Sequence, residues 1–304
     1  MAILKKLNAV IQLLKNMNKA AGHDDAKSLA LGKLLSNQQN LLLSPEINDY
    51  EFKVFSQWGD DGIIQYLVKH LRFEAKTFIE FGVGDYMESN TRFLLMNDYW
   101  SGYVMDGSVA NMQKLRSQPW FWMYSLRCKD VFIDADNINQ LLAESGFSKL
   151  GILSIDLDGN DYHILKSIDL SQLSPAVIIM EYNSVFGNDR AITVPYRKTF
   201  DRTKAHYSNL YFGASLGALA LLASQKGYSL VVCTNAGNNA FFVRNDLLND
   251  KVRKKSVKEA FRESTSRESR DEHYNLSYLQ GEKRLDAIRG LPVINVETGL
   301  QETL

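Results

Sequence analysis

From Thr77 onward, short apolar runs alternate with amphipathic stretches at helical spacing, an order that calls for a mainly parallel sheet with helices packed on its faces. The apolar runs predict strands at Thr77–Phe81, Gly102–Met105, Met123–Leu126, Ile152–Ile155 and Ala176–Met180. Helices are predicted between them, near Asn90–Met96, Val109–Arg116, Ile138–Glu144 and Tyr162–Lys166. A later helix, Ser215–Lys226, stops at Gly227, where a C-cap glycine belongs. After it YSLVVC and AFFVR, joined by the turn-rich TNAGNN, read as a closing antiparallel hairpin.

The rest of the chain frames this α/β unit. Residues 1–48 are expected to form a helical N-terminal extension, 49–248 the α/β domain, and 249–304 a charged C-terminal extension or lid. In the first segment Ile3, Leu4, Leu7, Val10, Ile11 and Leu14 fall at helical spacing among lysines, and no acid precedes Asp24. Such a cationic amphipathic helix suits packing on its own domain, a homodimer contact or the surface of an anionic membrane. Thirty-five basic and 35 acidic residues cancel, so no global positive field recruits a nucleic-acid backbone. Cys128 and Cys233 lack the paired spacing of a zinc site, and no apolar run reaches the roughly 18 residues of a membrane span. A cytoplasmic location is the expectation.

The first strand runs into FIEFGVGDYMESN, with Glu80, Gly82 and Gly84 at the strand-to-helix turn. Glycine there permits tight backbone geometry and close approach of a ligand. A dinucleotide fingerprint needs a third glycine at position 87, which is Met87. The turn is instead similar to the acidic-x-Gly-x-Gly turn of adenosylmethionine-dependent methyltransferases. The second strand ends in GYVMDGS, placing Asp106 and Gly107 one strand–helix–strand unit later, where a carboxylate accepts hydrogen bonds from ribose hydroxyls. In VFIDADNINQLL, Asp136 is expected as an N-cap, and the similarity to methyltransferases implies that its loop also borders the adenine.

The fourth strand delivers LSIDLDGNDY, with Asp156, Asp158 and Asp161, to the same edge; the fifth delivers IIMEYNS, with Glu181 and Asn183. Acids on neighbouring strand ends repel unless a proton, an amine or a cation neutralises them. The ammonium and sulfonium of adenosylmethionine fit, and so does a magnesium-like ion on carboxylate and amide oxygens. An Asx-type turn and a helix cap account for only part of the set. His163, beside the acids, and His206, in an aromatic-rich insertion from Phe186 to Phe212, are candidate general bases.

Taken together, FSQWGDDGIIQYL, FIEFGVGDYMESNTRFLL, GYVMDGS, LSIDLDGNDY, IIMEYNSVFG, ITVPY and YFGASLGALALLASQKGYSLV resemble the FkbM-like class I methyltransferases, in particular relatives encoded with bacterial surface-polysaccharide genes. The resemblance runs from about Phe55 to Arg244. It implies a Rossmann-like sheet of seven strands with the closing hairpin, S-adenosylmethionine as donor, and O-methylation of a sugar, glycan or related polar acceptor. It also implies that Gln57 and Asp61 lie near the methionine part of the cofactor. Similarity to metal-dependent O-methyltransferases implies Asp156, Glu181 and Asn183 as magnesium ligands, with Asp158 nearer the cofactor and the chemistry. Those enzymes carry adjacent Asp-Asn on strand five, whereas Tyr182 separates the pair here. A catalytically silent binding or assembly protein on the same fold is the alternative.

Overall fold

The structure, a computed structural model, describes residues 24–304. The cationic helix expected over the first twenty residues therefore lies outside the described residues. Helix α1 occupies residues 24–38, followed by α2 (Asp60–His70), β1 (Thr77–Phe81), α3 (Arg92–Asp98), β2 (Ser101–Asp106) and α4 (Val109–Arg116). The central run continues with β3 (Leu126–Asp130), α5 (Ile138–Glu144), β4 (Ile152–Ile155), α6 (Asp161–Ser167) and β5 (Val177–Glu181). After β6 (Ile192–Thr193) and α7 (Arg202–Ala205) come α8 (Leu216–Gln225), β7 (Tyr228–Cys233) and β8 (Asn239–Arg244). The tail adds α9 (Val257–Ala260), α10 (Glu282–Asp286), β9 (Pro292–Asn295) and β10 (Gln301–Thr303).

Seven strands form one sheet in the order β3-β2-β1-β4-β5-β8-β7, parallel except for β8, which runs antiparallel between β5 and β7. This is the seven-stranded, mostly parallel α/β sheet with a closing antiparallel hairpin expected from the sequence. Alternation along the strands divides the core into two layers. Ile79, Phe81, Met105, Leu153 and Ile178 pack under α5, α6 and α8; Phe78, Val104, Ile152, Val177 and Ile179 pack under α2, α3 and α4. The order reverses direction between β1 and β4, and both strands are held in parallel register from Phe78↔Ile152 to Phe81↔Ile155. A crevice opens at such a switch point, outside the carboxyl ends of the strands.

The third strand is displaced from the expected Met123–Leu126. It is Leu126–Asp130, pairing with β2 alone from Gly102↔Leu126 to Asp106↔Asp130. An edge strand with one neighbour tolerates the charged, alternating LRCKD. The apolar WFWM before it turns through a short 3-10 segment, Phe121–Met123, that leaves Trp120 buried and Trp122 exposed.

The insertion between β5 and α8 and the C-terminal tail fold against each other. β6 pairs antiparallel with β9, and β9 with β10, in a second sheet over a cluster of Phe186, Ile192, Val194, Leu210, Ile288 and Val293. The tail also places Val252 in one core layer and Ala260 in the other. Among the described residues no helix is long and apolar enough to cross a membrane.

Candidate functional site

At the end of β1 the backbone of Gly82 has φ +70°, and a Cβ built there would lie 1.5 Å from the carbonyl oxygen of Asp156 at the end of β4. Only glycine lets the two strand exits touch. Gly84, at φ +55°, donates its N–H to Asp106 Oδ2 across 2.9 Å, while Asp106 Oδ1 accepts from Ser108 N at 2.8 Å. Glu80 is buried and accepts from Ser89 Oγ at 2.6 Å, Asn90 N at 3.0 Å and Thr91 N at 3.2 Å. It ties down the loop after the glycine turn and does not line the cavity that the turn borders.

That cavity, about 190 Å³, sits at the switch point and is lined by Gly82, Asp106, Gly107, Phe132, Asp156 and Asp158 among others. Two more cavities, about 80 and 460 Å³, continue from it. The first and third share Leu157, Asp158 and Phe200, and the second and third share Arg202 and Glu268, so the three make one cleft. The insertion and the tail build its outer wall.

The acids sort by their partners. Asp161 accepts from Leu157 N at 2.7 Å and from Gly159 N at 2.9 Å, belting the loop on which Asp158 rides at φ +53°. Burial pushes the Asp161 carboxyl up to about 6. Asp156, Asp158 and Glu181 converge instead, each offering an oxygen within 4.8 Å of the others. Burial, followed by mutual repulsion, holds the Asp156 and Glu181 carboxyls well above the usual carboxylate range. Glu181 Oε2 is buried without a hydrogen-bond partner. Arg202 supplies the nearest positive charge: Nη1 donates to Asp158 Oδ1 at 2.9 Å, Nε to Asn209 O at 2.8 Å, and the guanidinium stacks 3.8 Å from the Phe212 ring centroid.

Several expected site residues are placed differently. Gln57 lines the second cavity, but Asp61 does not line the cleft: its Oδ2 gathers the N–H groups of Val54, Phe55 and Ser56 at 2.7 to 2.9 Å. Asp136 is not the cap of α5. It pairs with Lys198 on the surface, and Asp134 accepts the N–H groups of Asp136 and Asn137. The side chain of Asn183, expected as a metal ligand, is spent on the backbone, donating to Leu210 O and Phe212 O and accepting from Val185 N. Asp158 takes its place beside Asp156 and Glu181. Neither histidine lines the cleft: His163 Nε2 bonds to Val194 O and His206 Nδ1 to Ser208 Oγ, both at 2.8 Å. Both hold the inserted segment in place.

Sequence reasoning missed Arg202, Glu268 and Arg284, all lining the second cavity. They come from the insertion and the charged tail, where nothing in the local pattern separates a cleft residue from a solvated one.

No protein-family model matches the chain, and no curated protein does. Among solved structures, a fibrillarin pre-rRNA processing protein from Methanococcus jannaschii is 9% identical, over 60% of this chain and 74% of the other, with a TM-score of 0.38. An S-adenosylmethionine-dependent methyltransferase from Clostridium acetobutylicum is 12% identical, over 60% of this chain and 89% of the other, at 0.37. The N-terminal domain of EvdMO1, solved in the presence of SAH and D-fucose, is 12% identical, over 72% of this chain and 94% of the other, at 0.35.

Proposed function

We propose that the chain is an S-adenosylmethionine-dependent O-methyltransferase acting on a hydroxyl of a sugar or related polar acceptor, in the making of a bacterial surface glycan. The observation that carries this reading is the glycine cradle at the switch point, where a Cβ on Gly82 would strike Asp156 and Asp106 faces the same cavity. Asp106 would hold the donor's ribose, and the Gly82 turn and Asp156 would receive its amino-acid end and cationic groups. Bound S-adenosylmethionine supplies an electrophilic methyl group.

The chain's own residues do the rest. Phe132 and Phe200 give the cavity two aromatic walls. Asp158, which lines both the donor cavity and the third cavity, stands at the junction where the acceptor hydroxyl must lose its proton. Arg202 holds that carboxylate in place through the 2.9 Å ion pair. Asp156, Asp158 and Glu181 also fit a hard divalent cation, and the unpartnered Glu181 Oε2 favours it. Such an ion would lower the pKa of a bound substrate hydroxyl.

Calorimetric titration of the full chain with S-adenosylmethionine, with and without magnesium and after chelation, tests this. Micromolar binding is expected, weakened about 10- to 100-fold by Asp106→Ala, the loss of one or two hydrogen bonds to a charged acceptor. No binding in any condition sinks the methyltransferase reading and leaves the silent fold.

A further inference from the structure

Arg284, on α10, lines the cleft from the wall built by the tail. It is 7% exposed, and among the described residues it forms no ion pair. Nη1 reaches Ser264 O at 3.4 Å, and Nε is buried with no acceptor. Arg202, on the same cavity, already has Asp158, the Asn209 carbonyl and the Phe212 ring. Glu268 is engaged by Asn209 Nδ2 at 3.3 Å and lies 3.8 Å from Arg270. Burial pushes the Arg284 guanidinium down, opposed by Glu263 and reinforced by Arg202. A buried guanidinium is costly unless an anion meets its fork of donors, and two oxygens of a carboxylate or phosphate match that fork.

We propose that Arg284 forms an oxyanion subsite of the acceptor pocket, so that the substrate is a hydroxyl compound carrying a carboxylate or a phosphate group. The inference rests on the acceptor side of the reading above and names its substrate class. The cavity of about 80 Å³ takes the anionic group, and the adjoining 460 Å³ takes the remainder of the acceptor. Ser264, Ser266 and Asn238 supply neutral polar groups around the anion, while Arg284 and Arg202 offset the Glu181 and Glu268 carboxyls that line the same cavity. A neutral sugar would leave the fork unmatched.

The test titrates the full chain, with and without S-adenosylhomocysteine, with D-glucuronate, D-glucose 1-phosphate and D-glucose. At least one anionic sugar is expected to bind about tenfold or more tightly than glucose, and the preferred one tells carboxylate from phosphate. Arg284→Gln should abolish that preference and leave S-adenosylhomocysteine affinity unchanged. Equal binding of all three sugars overturns the proposal, as does a preference that survives in Arg284→Gln. If the variant does not fold, competition on the unaltered chain decides: inorganic phosphate must displace the anionic sugar, and failure to displace it overturns the subsite. Anion binding without S-adenosylhomocysteine binding refutes the donor reading and leaves the subsite standing.

Discussion

Gly82→Ala should be far more damaging than Gly84→Ala, although the two glycines stand two residues apart in one turn and both have positive φ. At Gly84 an added Cβ meets nothing within 4 Å, so the cost is that of a left-handed alanine, about 1–2 kcal/mol. At Gly82 the same conformational cost applies, and the Cβ lands 1.5 Å from the Asp156 carbonyl oxygen. Real contacts stay above 3.0 Å, so backbone must retreat by about 1.5 Å. That displacement falls where Gly82 N donates to Met105 O at 2.9 Å and where β1 and β4 are still in register at Phe81↔Ile155. Losing one or two ladder bonds adds about 1–3 kcal/mol, for a total of about 2–5 kcal/mol. Urea unfolding of the two variants against the parent measures the difference, and the donor titration should show binding lost in Gly82→Ala and largely kept in Gly84→Ala. Stabilities within about 1 kcal/mol of each other would refute the claim that the strand exits are in contact.

Asp60 is wholly buried at the start of α2, where burial outweighs the hydrogen bond from Asn239 and raises its carboxyl to about 7. A raised carboxyl leaves the fold at full strength below about pH 4 and costs stability as pH climbs to about 7, so Asp60→Asn should match the parent near pH 4 and exceed it by up to about 4 kcal/mol near pH 8. Equal stability curves from pH 4 to 8 (roughly the window between the two protonation limits) would remove that assignment. Glu181→Gln should likewise stabilise the chain on the alkaline side, because the Glu181 carboxyl is also held high by burial and by Asp156. The same variant should erase any magnesium-dependent change in melting temperature; a retained magnesium effect would exclude Glu181 as a ligand.

The sheet was legible because its signals are local. Phe78 and Ile79 point to opposite layers as strand periodicity demands, and α4 and α5 begin and end where their apolar spacing does. The meeting of Gly82 and Asp106 at one cavity was legible for the same reason: each stands directly at the end of a strand. What local pattern could not separate was two acids with the same neighbours. Asp158 and Asp161 are three residues apart, yet one faces the cleft and the other closes a loop, a division set by which backbone N–H groups happen to point at each carboxylate. Asn183 escaped for a related reason. Its amide is claimed by the carbonyls of Leu210 and Phe212, some 27 and 29 residues away, and no reading of the fifth strand discloses that. His163 was expected near the acids from sequence proximity and His206 as a base from its place in the insertion, but neither lines the cleft, and His163 Nε2 and His206 Nδ1 bond to Val194 O and Ser208 Oγ of the inserted segment.

The pairing of β6 with β9 joins Ile192 to Asn295 across a stretch of chain that includes α8, both strands of the closing hairpin and most of the tail. A ribosome will have released every strand of the large sheet before β9 exists. The glycine cradle and Asp106 can thus be framed by a folded sheet while the wall bearing Ser264, Glu268 and Arg284 is still unclosed, because long loops make such pairings slow to form. During synthesis the chain is therefore expected to pass through a form with its strand-end crevice built and its outer wall open. A protease added to stalled nascent chains should find that wall cut first.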